Sequence, residues 1–234
     1  MGKKLLPFDS ALSKKQSIAV LAYLPLHLIV LPNLLAAIML KGYIGEADAN
    51  LLLYAIGAVY MLVFCWKFLR RDFDPLMDNL LHILVEICIS YGLMFVFNLI
   101  VNGLLFKLFP LDNPNNAAII GIASQEYGKT AALAIFLAPI VEELLFRAGI
   151  FGVLRRYNRL LGYTVSVLAF AAYHIWPFAI NDSSYWVYMI QYIPVSCLLC
   201  RVYERCNSIW GSIGFHMMVN AISIKTLMML QELM

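Results

Sequence analysis

The chain has 234 residues, of which 62% are hydrophobic and only 13% are charged, and its mean hydropathy is +0.80. Water-soluble domains carry about 45–50% apolar and about 25% charged residues, so the composition argues strongly against a soluble globular protein. The formal net charge of +3 is small and gives no reason to expect nucleic acid as a partner. The chain is predicted to be a polytopic membrane protein surrounded by lipid.

Apolar runs long enough to cross a bilayer predict an all-α transmembrane bundle of seven helices, or eight if a half-buried segment adds one. A crossing takes about 20 residues in an α-helix. The predicted spans are 17–40, 50–69, 80–106, 131–153, 160–180, 185–203 and 208–230. The segment 110–128 is the most loop-like stretch, and it is predicted to be a loop with room for a short interfacial helix. We divide the chain into an N-terminal part, 1–128, with three spans, and a core, 129–234, with four.

The Lys and Arg residues between the spans predict the orientation. With the N-terminus in the cytoplasm, twelve of the 17 fall on the inner side, beginning with Lys3 and Lys4, and three fall on the outer side. The positive-inside rule requires such an excess. The first apolar run is longer than the core of a signal peptide, so we expect it to remain as a membrane helix.

The stretch from Leu137 to Phe151 places two carboxylates and a guanidinium in the middle of the fourth predicted span. A charge near the bilayer centre costs at least about 2.5–3.5 kcal/mol, so each one requires an explanation. Glu143 and Arg147 are four residues apart on one helix face and can pair. Glu142 is rotated about 100° from that face and has no partner on its own helix.

Candidate partners for Glu142 lie on two other predicted spans. His174 follows Phe170 by four residues in the fifth span, and His216 precedes Asn220 by four in the seventh. Polar groups inside a membrane must satisfy one another, so these side chains are predicted to converge. The alternative is that each is a structural residue that joins helices by hydrogen bonds.

A converged set of this kind supports two routes to hydrolysis. A carboxylate and an imidazole can remove a proton from one water, while an imidazole and an amide can bind the oxyanion of a tetrahedral intermediate. Glu142, His174 and His216 could instead bind a divalent metal such as zinc and so activate a bound water. Cys197 and Cys200 lack the second pair of ligands that a zinc site needs.

The three motifs resemble those of the CAAX-protease and bacteriocin-processing family of intramembrane proteases, also called the Abi family. They are E-E-x-x-x-R, F-x-x-x-H and H-x-x-x-N, in this order and each on its own span, over roughly residues 129–230. The resemblance implies an intramembrane endopeptidase that acts on a small peptide or on the C-terminal part of a protein. The substrate would be either a prenylated CAAX protein or a bacterial bacteriocin or signal peptide.

The resemblance also implies a role for each residue. Glu142 and His174 would activate water, and His216 and Asn220 would stabilise the oxyanion. The supporting residues would be Glu143, Arg147 and Phe170. We favour a metal-free mechanism that requires no cofactor; if a metal is used, its ligands would be Glu142, His174 and His216.

Two other functions remain open at this stage. One is a non-catalytic membrane protein, such as an immunity or sensor protein, that keeps the polar cluster for structure. The other is a transporter in which Glu142 relays protons. The small chain resembles bacterial members, so we expect it in a bacterial cell membrane. His27 and His82 are predicted to have packing or interfacial roles, and Glu86 to be either a supporting partner or a substrate-channel residue.

Overall fold

The computed structural model describes residues 8–108 and 113–232. Lys3 and Lys4, which contribute to the predicted orientation, lie outside the described residues. Within the two described ranges the chain is helical with no strand, as the apolar runs predict.

The described chain forms eight successive helices. Their bounds are Lys14–Leu40 (α1), Glu46–Asp78 (α2), Leu80–Leu108 (α3), Pro114–Ala132 (α4), 133–155 (α5), Arg159–Ala179 (α6), Met189–Cys206 (α7) and Ile209–Glu232 (α8), with a short 3₁₀ turn, Ser183–Tyr188, before α7.

Five of these helices, α1, α2, α3, α6 and α8, are long and apolar enough to cross a membrane. The predicted count of seven or eight spans is therefore not confirmed for the described residues. Charged residues account for the difference, because each of the other two candidates contains at least three of them. Glu142 and Glu143 lie within α5, and the last turns of α7 carry Arg201, Glu204 and Arg205.

The segment 110–128, predicted as a loop with room for a short helix, is helical from Pro114 onward, so the helix is longer than predicted. Asn113 caps α4 by accepting hydrogen bonds from two backbone amides of its first turn, and Pro114 occupies the first helical position. The polar and Pro residues that suggested a loop are thus a helix start. The helix is kinked at Glu126, whose backbone (φ −137°, ψ 57°) is not helical.

Helix α5 is irregular over most of its length. It begins with a π-helical turn, Leu133–Leu137, continues as α-helix over Ala138–Glu142, and then becomes π-helical again over Glu143–Phe151. Such π segments are uncommon and often occur at functional sites. They place the two glutamates at the junction between an α and a π segment.

One end of the bundle is closed by buried carboxylates that have several donors each. Glu204 of α7 lies 2.7 Å from both Arg155 and Arg159, and Tyr163 donates to it at 3.0 Å. These contacts join the end of α5 and the start of α6 to α7. Two of the arginines that predict a cytoplasmic face, Arg155 and Arg159, are therefore paired with one buried carboxylate.

Two further carboxylates complete this closed end. Asp72 of α2 accepts hydrogen bonds from Ser10 and from the backbone N–H of Ile209 at 3.0 Å. Glu86 of α3 forms ion pairs with Arg201 at 2.8 Å and Arg205 at 2.6 Å. We refer to Asp72, Glu86 and Glu204 with their donors as the closed end.

Candidate active site

A cavity of about 980 Å³ opens between the helices, at the upper end of the range of about 300–1,000 Å³ that is usual for ligand pockets. Four side chains that the sequence predicts to be catalytic line this cavity. They are Glu142 on α5, His174 on α6, and His216 and Asn220 on α8. Glu86 does not line it, so neither predicted role for that residue fits the structure, in which it joins α3 to α7.

The free oxygen of Glu142 faces two imidazoles. Its Oε2 lies 3.9 Å from Nε2 of His174 and 3.8 Å from Nε2 of His216. This oxygen is buried and has no hydrogen-bond partner among the described residues. Both separations exceed the usual hydrogen-bond length of about 2.7–3.2 Å, so the three groups surround a shared point and do not bond directly.

The ring of His174 is held by a hydrogen bond to the preceding turn of its own helix. Its Nδ1 lies 2.9 Å from the backbone carbonyl of Phe170, which can only accept, so Nδ1 carries the proton. In the neutral ring, Nε2 then has a lone pair directed at Glu142. Tyr192 stacks on the other side of the ring, with centroids 4.5 Å apart.

His216 is oriented by the second glutamate of the motif. Its Nδ1 lies 2.8 Å from Oε1 of Glu143, and the other oxygen of that carboxylate accepts a hydrogen bond from Ser212 at 2.6 Å. Arg147 lies 3.2 Å from the same Oε1, which is the ion pair expected from their spacing. A carboxylate behind Nδ1 stabilises a proton on the imidazole, as in other carboxylate–histidine pairs.

Arg147 is completely buried and connects the motif to the neighbouring helices. It donates a hydrogen bond of 2.9 Å to the hydroxyl of Ser196 on α7, and its guanidinium carbon lies 4.1 Å from the ring centroid of Phe170. The supporting residues therefore hold α5, α6 and α7 around the cavity.

Asn220 replaces a backbone donor that Pro139 lacks. The π turn joins the N–H of Ala138 to the carbonyl of Leu133, so the next donor in that register, for the carbonyl of Ala134, would be residue 139. Proline has no N–H. The Asn220 Nδ2 donates to the Ala134 carbonyl at 2.8 Å, which uses one of its two amide protons.

Three residues of the site were missed at the sequence level. Tyr54 of α2 donates a hydrogen bond of 2.8 Å to Oε1 of Glu142, and its oxygen lies 2.6 Å from the hydroxyl of Tyr173. The Tyr173 hydroxyl is in turn 3.1 Å from Nε2 of His27. The predicted packing role of His27 is incomplete, because this buried ring ends a hydrogen-bonded chain to the candidate base. His82 instead lies at the closed end, 3.3 Å from the carbonyl of Arg205.

The direction of these hydrogen bonds is fixed because each tyrosine hydroxyl has only one proton to donate. Since Tyr54 donates to the carboxylate, Tyr173 must donate to Tyr54, and Nε2 of His27 must donate to Tyr173. No motif surrounds Tyr54 or His27 in the sequence, and Tyr173 occupies an unspecified position of the F-x-x-x-H motif. A tyrosine or histidine on an apolar span has the same appearance whether or not it faces a glutamate.

The described residues contain no group of three His, Cys, Asp or Glu side chains that could hold a metal ion. The donor types of Glu142, His174 and His216 suit zinc, but their separations of 3.8 and 3.9 Å are wide. Ligands of a tetrahedral zinc ion with bonds of about 2.1 Å lie roughly 3.4 Å apart. The distances from Glu142 to the two imidazoles are thus longer than those between ligands of a tetrahedral zinc ion.

Residues 125–222 match the model of the family described as Type II CAAX prenyl endopeptidase Rce1-like. No curated protein and no solved structure matches the chain. The matched region contains all three motifs and confirms the resemblance on which the site was predicted. It gives no support to the alternative of a bacteriocin immunity protein. From residue 125 to residue 222, the chain is thus similar to the Type II CAAX prenyl endopeptidases.

Proposed function

We propose that the protein is an intramembrane endopeptidase in which Glu142 and His174 activate the attacking water. One observation carries this proposal: the unpartnered Oε2 of Glu142 lies within 4 Å of two imidazole Nε2 atoms inside the cavity. A buried carboxylate oxygen without a donor is costly unless a ligand or water meets it.

The water would be held by Glu142 and His174 and would attack the carbonyl carbon of the substrate peptide bond. Because Tyr54 occupies Oε1 of Glu142, the proton of the water would pass to Oε2 or to Nε2 of His174. The same proton would then return to the leaving amine as the C–N bond breaks, which leaves a free carboxylic acid and a free amine.

His216 and Asn220 would stabilise the tetrahedral oxyanion. With Nδ1 donating to Glu143, Nε2 of His216 would be a donor toward the developing charge in the imidazolium form of the ring, whose positive charge the Glu143 carboxylate balances. Asn220 has a second amide proton that its bond to Ala134 leaves available. The supporting residues Glu143 and Arg147 act by orienting His216.

The proposed substrate is a small peptide or a C-terminal protein segment, of the prenylated CAAX type or a bacterial bacteriocin or signal peptide. We place the catalytic core at 129–234 and propose that the helices of 1–128 supply part of the walls of the substrate cavity. The protein would lie in a bacterial cell membrane with its N-terminus and its closed end toward the cytoplasm.

The direct test is cleavage by purified protein reconstituted in lipid. The probes would be a degenerate peptide library and a farnesylated CAAX peptide, with products identified by mass spectrometry. Glu142→Gln should lower cleavage by about 1,000-fold, because general bases contribute about 10²–10⁴-fold. The matched control is Glu126→Gln, which changes a glutamate paired with Lys129 away from the catalytic groups. Unchanged cleavage by Glu142→Gln at normal abundance would refute the proposal.

A further inference from the structure

Tyr192 of α7 lies between His174 and a pair of amide side chains at the start of α4. Its ring stacks on that of His174, with centroids 4.5 Å apart and planes inclined by 23°. Its hydroxyl oxygen accepts hydrogen bonds from Nδ2 of Asn113 at 3.2 Å and from Nδ2 of Asn115 at 3.0 Å. All four side chains line the same cavity as Glu142. Tyr192 therefore joins the start of α4 to the catalytic groups.

The cap of α4 fixes the direction of the hydrogen bond from Asn113. Its Oδ1 accepts from the backbone N–H groups of Asn115 and Asn116, as an N-cap residue does. Only its amide protons are then left to face Tyr192 and Gln191, and it donates to both. An amide nitrogen donates and does not accept, so the hydroxyl of Tyr192 is the acceptor in this bond.

The proton of the Tyr192 hydroxyl has no acceptor among the residues that the structure describes. Both amide neighbours donate to its oxygen, and the hydroxyl has one proton of its own to donate. The side chain is half-buried and lines the cavity, so this proton is available to a molecule bound there. The ligand atom that meets it has to be an acceptor, and a peptide main chain carries one, the carbonyl oxygen, at every residue.

The stacked rings limit how far this proton lies from the reacting groups. The ring that carries the hydroxyl is centred 4.5 Å from the ring of His174, and Nε2 of His174 faces Glu142. One residue of extended chain spans about 3.3–3.6 Å. The hydroxyl of Tyr192 thus lies within about two residues of extended peptide from the His174 ring.

We infer that the Tyr192 hydroxyl donates a hydrogen bond to a main-chain carbonyl oxygen of the substrate, within about two residues of the cleaved bond. This carbonyl differs from the one under attack, whose oxygen His216 and Asn220 would bind. The inference rests on the proposed function and adds a substrate-binding residue outside the three motifs. Main-chain hydrogen bonds are a recurrent means of holding an extended peptide. The contact suits an internal peptide and a C-terminal segment equally, because both have such a carbonyl.

The first test is Tyr192→Phe, measured on whichever of the farnesylated CAAX peptide and the library peptides the wild-type protein cleaves fastest. The change keeps the ring that stacks on His174 and removes the proton, so KM should rise about tenfold while kcat stays nearly constant. The matched control is Tyr185→Phe, in the turn before α7 and outside the cavity, which should leave both constants unchanged. An unchanged KM in Tyr192→Phe, or a fall in kcat alone, would overturn the inference.

A second variant, Asn115→Asp, redirects the proton and leaves Tyr192 in place. A carboxylate can only accept, so it would take the Tyr192 proton that the substrate otherwise receives. A negative charge is also favourable in the first turn of α4. We expect a rise in KM similar to that in Tyr192→Phe. The control is Asn116→Asp, which adds the same charge to the cavity without a hydrogen bond to Tyr192; equal effects in the two Asp variants would count against the inference.

A scan of the substrate main chain locates the carbonyl. Each carbonyl near the cleaved bond, apart from the one under attack, is replaced in turn by a thiocarbonyl, which is a weaker acceptor. One replacement should slow cleavage by the wild-type protein and have no further effect in Tyr192→Phe, because the donor is already missing there. If every replacement slows the two proteins by the same factor, the inference is overturned.

The failure of the proposed function has a different signature. Cleavage of neither the farnesylated peptide nor the library above the background of Glu142→Gln would count against the protease itself. Retention of the farnesylated CAAX peptide by immobilised protein then tests the inference without catalysis. Weaker retention by Tyr192→Phe than by the wild-type protein supports it, and equal retention overturns it.

Discussion

The closed end and the catalytic cavity are both rich in buried charge, but they differ in how fully that charge is paired. At the closed end, Glu204 has three donors and Glu86 has two arginines. In the cavity, Oε2 of Glu142 has no donor although it is equally buried. Both oxygens of Glu86 lie within 2.8 Å of an arginine nitrogen, whereas only imidazoles, at 3.8 and 3.9 Å, approach Oε2 of Glu142, and this is what we expect of a reactive group.

The largest difference between the two regions is expected in stability. Loss of the buried Arg147 guanidinium should lower the free energy of unfolding far more than loss of an arginine at the closed end. Arg147→Met would leave Glu143 without its buried cation, and breaking such a pair costs about 3–5 kcal/mol of stability. Thermal unfolding in detergent and abundance in the membrane should both fall sharply. At the closed end, Arg159→Met should cost less than about 1 kcal/mol, because that side chain is 56% exposed. Equal losses in the two variants would show that Arg147 is no more structural than a surface arginine.

The next effect is expected at His174, which should be catalytic without being structural. His174→Gln removes the lone pair that faces Glu142 and should lower cleavage by about 100- to 1,000-fold. Its melting temperature should stay close to that of the wild type. His82→Gln, which changes the histidine at the closed end, should leave cleavage unchanged. A His174→Gln protein that unfolds and loses activity in parallel would favour a structural role.

A smaller effect is expected at Tyr54, which positions the catalytic carboxylate. Tyr54→Phe removes the donor to Oε1 of Glu142 and should lower kcat about tenfold with little change in KM, the equivalent of one hydrogen bond to a charged group. Tyr60→Phe is the matched control on the same helix, because its hydroxyl donates to the backbone of Ala19 outside the catalytic cluster. A change in KM alone would assign Tyr54 to substrate binding instead.

The smallest effect is expected from metal chelation. If the site works without a metal, EDTA or phenanthroline should change cleavage by less than about twofold, while the same treatment inactivates a zinc peptidase run in parallel. Loss of cleavage that is restored by added zinc would instead make Glu142, His174 and His216 metal ligands after a local rearrangement.

Two kinds of contact can be predicted from the sequence. One is a pair of residues a few positions apart on one helix, and the other is a contact between polar groups that would be costly if left alone in lipid. The pairing of Glu143 with Arg147 follows from four residues on one helix face, and the convergence of polar groups follows from the lack of water in the membrane. The contacts of Glu142 with Tyr54 and of Tyr173 with His27 join residues 88 and 146 positions apart. Nothing in the local sequence of Tyr54 or His27 distinguishes them from packing residues, and the F-x-x-x-H motif does not specify the position of Tyr173.

Two other features were missed because tertiary contacts decide them. The sequence suggested two functional roles for Glu86 and did not indicate its ion pairs, because only the fold brings Arg201 and Arg205 to it. The Pro and Asn residues at 113–116 are typical of a loop, yet the same residues also start a helix when the following segment can pack. Composition also does not determine the number of spans. The position of a helix with buried charges, such as α5, depends on its contacts with neighbouring helices and not only on its own hydropathy.

The hydrogen bond from Tyr54 to Glu142 has a consequence for how far the enzyme can be shortened. The family match begins at residue 125, but this bond, and the chain that continues through Tyr173 to His27, reaches back to α2 and α1. A truncated protein that starts at the matched region would keep every motif and lose the donor that holds its base. We therefore expect that the motifs alone do not form an autonomous module, and that a transplant of the proposed chemistry onto another scaffold would need a hydroxyl in the place of Tyr54.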